Sequence, residues 1–104
     1  MKKFLFVYHG GSMAESPEEI EKVMAAWGAW FESMGAAVVD GGAPVSMSST
    51  VNNDGTVSDN GGSNPASGYS LIQAASMGEA LALAKGCPIR QNGGNIEVAE
   101  AMEM

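Results

Sequence analysis

Residues 3 to 9, KFLFVYH, carry apolar side chains on both parities, Phe4, Phe6 and Tyr8 on one and Leu5 and Val7 on the other. A strand that alternates apolar with polar can lie half in water. One that is apolar on both sides belongs in the middle of a sheet with something over each face. The two lysines ahead of this run imitate a secretory signal, but the apolar stretch ends after five residues at His9 and no small-residue cleavage site follows.

One cover comes next along the chain. Ser16-Pro17-Glu18-Glu19 reads as an N-cap, a proline at the first helical position and a glutamate placed to close a capping box. Ile20, Val23, Met24, Trp27, Trp30, Phe31 and Met34 follow at three- and four-residue spacing, so one apolar stripe runs along a helix that Gly35 ends. Gly28 lies beside that stripe, where a glycine suits the close approach of a neighbouring backbone. Ala36 to Asp40 reads as a second strand and Tyr69 to Ala74 as a third. The 44–66 segment between them is rich in Ser, Asn and Gly, and its near-mirror sequence around Asn53-Asp54-Gly55 predicts a small hairpin. Ser76 with Glu79 repeats the capping signature before Met77, Ala80, Leu81 and Ala84, and Gly86 and Pro88 stop this second helix. Ile96 and Val98 open a fourth strand.

The order βαββαβ predicts an α+β fold, with an antiparallel sheet in the strand order 4-1-3-2 and both helices on one face. The second face then lacks a cover. A bare apolar face calls for a second subunit or a ligand, and a homodimer with sheets face to face is the expected answer.

The 104 residues suit one domain, 1–104, with its own core. Twelve acidic against five basic side chains give a net charge of -7, which repels phosphate backbones and anionic membranes, so neither nucleic acid nor membrane is an expected partner. No stretch approaches the roughly 18 apolar residues of a membrane span, and a cytoplasmic location is expected. Cys87 is the one cysteine; it fits a reducing compartment, reads as a small buried hydrophobe and gives no thiolate metal site. No metal or other cofactor is implied.

In the 4-1-3-2 order, the exits of strands one and two share an end with the entries of three and four. His9, Asp40, Ser67, Tyr69 and Asn95 thus gather at one rim, beside the 44–66 loop and the Gly10-Gly11-Ser12 turn. With strands about 4.8 Å apart, the His9 and Asp40 backbones stand roughly 10 Å from each other, room for a water or ligand between a proton-transferring imidazole and an orienting carboxylate. Asp40 before Gly41-Gly42 reads equally as a turn-former, and His9 as a hydrogen-bonded strand end. His9-Gly10-Gly11 has the look of an esterase oxyanion loop, but no G-x-S-x-G elbow accompanies it. Gly10-Gly11-Ser12 before a helix could hold an anion, though it matches no phosphate-loop pattern. The helical spacing of Trp27 and Trp30 makes them core. Glu100, on an otherwise apolar parity, is expected to pair with Lys2 or Lys3 on the neighbouring strand.

KFLFVYHGG, the Trp27 helix, TVNNDGTVSDNGG, GYSLIQAASMGEALALAKGCP and GGNIEVAEAM together, in this order and spacing, resemble the YCII-related proteins, including their DGPF-type branch. The resemblance covers nearly the whole chain. It implies a ferredoxin-like subunit that pairs into a dimeric α+β barrel, with a cleft at the dimer interface and no settled biochemical activity. Some relatives carry a histidine in the first helix and an aspartate near the second strand, suggested as an acid/base pair. Here Ala25 to Gly28 holds no histidine, Asp40 sits near the aspartate's place, and the DGPF motif becomes Ser58-Asp59-Asn60-Gly61-Gly62. The expectation is a small homodimeric protein binding a small molecule at a cleft rimmed by His9, Asp40, Tyr69, Ser67, Asn95 and Ser12. The alternatives are an acid/base enzyme using His9 with Asp40, and a ligand-free dimer that pairs with another protein.

Overall fold

The computed structural model describes residues 1–11, 16–62 and 64–102. Strands β1 (Lys2–His9), β2 (Val38–Pro44), β5 (Ala66–Ala74) and β6 (Asn95–Ala101) form one sheet in the order β2-β5-β1-β6, with every neighbouring pair antiparallel. β1 therefore has a partner on each side. Helices α1 (Pro17–Met34) and α2 (Met77–Ala84) complete an α+β arrangement compatible with a ferredoxin-like fold. The short strands β3 (Thr50–Val51) and β4 (Val57–Ser58) make a separate hairpin.

Local chemistry explains the helix ends. Ser16 Oγ accepts the Glu19 amide at 3.2 Å, Pro17 takes the first helical position, and Gly35 closes α1 at φ 54°. Ser76 Oγ accepts the Glu79 amide at 3.2 Å, while the Glu79 carboxylate reaches back to the amide of Ala75 at 3.4 Å. In the hairpin, Gly55 sits at φ 90° and Asp54 Oδ1 accepts both the amide and the hydroxyl of Thr56. Those bonds, the hydroxyl's first, hold the Asp54 carboxyl below its ordinary range.

Phe4, Phe6, Tyr8, Ile72 and Ala74 of the sheet bury against Trp30 and Met34 of α1 and Ala80 and Ala84 of α2, so both helices lie over the same face. The Trp30 ring stacks on Phe6 at 6.1 Å, and its indole N–H donates to the Leu83 carbonyl at 2.9 Å, tying α1 to α2. Pairing in register places Leu5, Val7, Tyr69, Leu71 and Ala99 on the opposite face. Among the described residues, neither helix packs over this face.

Four details depart from the sequence reading. Gly35–Ala37 form a 3-10 turn, and β2 starts at Val38 and runs on through Gly41-Gly42 to Pro44, because two bulges let it follow β5. β5 starts at Ala66, where Ala66 and Gly68 pair with the end of β1. Gly28 admits no close neighbour, since a Cβ there would meet nothing within 4 Å. The apolar stripe of α1 also engages the core only in its second half: Ile20 and Met24 are exposed.

Candidate functional site

His9 ends β1 opposite Asn95 of β6, on the face that bears Val7 and Glu97. Its Nε2 lies 3.0 Å from Glu97 Oε1 and its Nδ1 lies 3.0 Å from the Asn64 carbonyl oxygen, with the side chain only 12% exposed. Both partners accept hydrogen bonds, so satisfying the two together takes a hydrogen on each ring nitrogen. Held this way, the ring joins β1, β6 and the entry to β5. The carboxylate it meets is that of Glu97, a residue the sequence did not single out.

Asp40 does different work. Its Oδ1 accepts the Gly42 amide at 2.8 Å and shapes the bulged path of β2. The turn needs glycine next, since Gly42 has φ 72° and a Cβ there would lie 1.8 Å from the Tyr69 carbonyl oxygen. Asn95 is exposed beside His9. Ser12 lies outside the described residues.

Ser67 and Tyr69 do come together, at a pocket of about 240 Å³ between α1 and the ends of β2 and β5. α1 contributes Trp27 and Phe31, β1 contributes Tyr8, and Ile89 closes one side. Opposite these rings, β2 and β5 present little more than backbone through Gly41, Gly42, Ala43, Pro44 and Gly68. Glycine makes the space: a Cβ on Gly68 would meet Tyr8 at 3.1 Å and the Ala43 carbonyl oxygen at 3.2 Å. Large rings facing side-chain-free strand leave a volume that neither element fills.

Polarity in the pocket is sparse. Ser70 Oγ donates to the Gly41 carbonyl at 2.7 Å, so its oxygen accepts the Tyr8 hydroxyl at 2.7 Å and the phenol proton is committed inside the fold. Burial pushes the Tyr8 phenol up to about 12. Ser67 is the residue left over at the bulge where β5 passes the end of β1. Its backbone carbonyl accepts the Val45 amide at 3.0 Å, but its hydroxyl oxygen is buried and unpartnered among the described residues. Among the described residues, no charged side chain lines the pocket. The signal for it in the sequence was the pairing of Trp27 and Phe31, here half-buried wall, with Gly41-Gly42 and Gly68.

Among the described residues, no group of three or more His, Cys, Asp and Glu is placed to hold a metal ion, and no helix is long and apolar enough to cross a membrane. Cys87 is buried, and burial pushes its thiol up to about 11, far from a reactive thiolate. Compared with protein-family models and with curated proteins, the chain matches none.

Proposed function

We propose that this chain is a small homodimeric binding protein of the YCII-related kind that takes a small molecule at a cleft where the two copies meet. The observation that carries the reading is the aromatic pocket, which Ser67 also lines and whose wall thus includes a residue with a buried hydroxyl unpartnered among the described residues. A concave, mostly apolar space with few polar groups is the usual form of a small-molecule site. The second copy is supported by the uncovered sheet face, on which Leu5 is 37% and Tyr69 41% exposed. Tyr69 belongs both to that face and to the pocket, so a copy laid on the sheet meets the pocket's border there. A cytoplasmic setting agrees with a single buried thiol.

Analytical ultracentrifugation tests the assembly. The expected result is twice the chain mass for the wild type and a folded monomer for Leu5→Asp, whose charge falls on the uncovered face while leaving the helix-covered core untouched. A wild type that stays monomeric at every concentration removes the dimer from the proposal and leaves the pocket to be judged by ligand binding.

A further inference from the structure

The geometry points to the chemical class of the occupant: we infer that the pocket selects a neutral aromatic molecule of one or two rings that carries one hydrogen-bonding group, a simple phenol being the smallest example. This rests on the binding reading above and narrows it. Size sets the first limit. A sealed apolar cavity of roughly 150 Å³ accepts benzene and drug-sized ligands occupy roughly 300 Å³ or more, so about 240 Å³ suits one ring or a fused pair.

Wall chemistry sets the second limit. Tyr8, Trp27 and Phe31 offer ring faces and edges to a flat apolar body, with Tyr69 at the border. An anion would enter a protein of net charge -7 and find no cationic side chain in the wall. A cation would have aromatic rings but, among the described residues, no lining carboxylate. Tyr8 and Trp27 also already meet edge to face at 4.8 Å, which engages ring surface that a cation needs.

The third limit is the single polar group. The Tyr8 hydroxyl proton is committed to Ser70, whereas the Ser67 hydroxyl has no partner among the described residues. Ser67 Oγ as it stands presents no surface to the pocket; rotation about the Cα–Cβ bond would turn it toward a polar atom placed against this wall, and that atom would supply the partner it lacks.

The test titrates the protein with p-cresol, toluene, benzoate and benzylammonium while following the amide NMR signals of Gly41, Gly42 and Gly68. Toluene and p-cresol are expected to move these signals, with p-cresol binding about tenfold more tightly and both ions at least about tenfold more weakly than p-cresol. Ser67→Ala should bring p-cresol down to the level of toluene and leave toluene within about twofold; Ser67→Gly serves as a second variant should the first fold poorly. Benzylammonium binding most tightly, or a p-cresol preference that survives both substitutions, overturns the inference while the binding reading stands. If none of the four probes moves the glycine signals at millimolar concentration, the binding reading falls and this inference with it.

Discussion

The two faces of β1 are made from one short run of residues, yet they have opposite fates. Phe4, Phe6 and Tyr8 are sealed by both helices, while Leu5 and Val7, one position away, look out from a face that neither helix covers. Strand alternation decides which side chains travel together, but coverage is decided by the path of the chain. Both crossovers here, α1 from β1 and α2 from β5, return over the same side. An apolar strand therefore does not imply a covered one, and the difference between the faces is measurable.

The largest effect expected is a contrast of two truncations. Phe6→Ala removes a fully buried ring that stacks on Trp30 and should cost about 3–5 kcal/mol in urea unfolding. Leu5→Ala, on the open face, should cost under about 1 kcal/mol in dilute solution. A Leu5→Ala cost that rises with protein concentration would show a second copy over that face, because association adds stability by mass action.

The covered face also has a pH signature. Burial raises Cys87 from 9.0 to about 11 and Tyr8 from 10.0 to about 12, so each stays neutral in the fold after the unfolded chain has lost its proton. Stability from both is fully present below about pH 9. It falls as pH rises from 9 to about 11 for the thiol and from 10 to about 12 for the phenol. Each contributes on the order of 2 kcal/mol at about 1.4 kcal/mol per decade. Denaturant unfolding from pH 8 to 12 should show the decline, and Tyr8→Phe should remove its upper part. An unchanged profile in Tyr8→Phe would mean that the phenol is not held in a dry setting.

Those same features mark what a reader of the chain alone can reach. The caps at Ser16 and Ser76 and the turn at Gly55 were legible because each is settled within four residues. Lys2 with Glu100, expected across neighbouring strands, follows from parity and appears at 3.7 Å. The course of β2 was not legible, because the bulges around Asp40 depend on how closely Gly42 can approach the Tyr69 carbonyl. Strand order could place His9, Asp40, Ser67 and Tyr69 at one end, yet it could not say toward which face each turns. The bulge at Ser67 and the diagonal from His9 to Glu97, 88 positions along the chain, carry that information. Trp27 and Phe31 have helical spacing that suits core and pocket wall equally, and only the glycines opposite them decide between the two.

The smallest effect separates the faces at their edges. β1 and β6 are bridged on the covered side by Lys2 with Glu100, at 3.7 Å, both well exposed, and on the open side by His9 with Glu97, at 3.0 Å. Glu97 is 63% exposed, but its partner is 12% exposed and is also held by the Asn64 carbonyl, so its carboxylate meets a ring already fixed in place. Little conformational entropy remains to be lost when that contact forms, whereas Lys2 must give up the freedom of a long chain to keep a looser one. Glu97→Ala should therefore lower stability by about 1 kcal/mol and Glu100→Ala by about 0.5 kcal/mol or less, read from thermal unfolding at low salt. Added salt should erase the second effect more completely than the first, because water screens an exposed pair more strongly than one whose histidine is largely buried. Equal losses with equal salt sensitivity would mean that the open face is as wet around His9 as the strand ends are around Lys2, and that the histidine does not clamp β6 to the entry of β5.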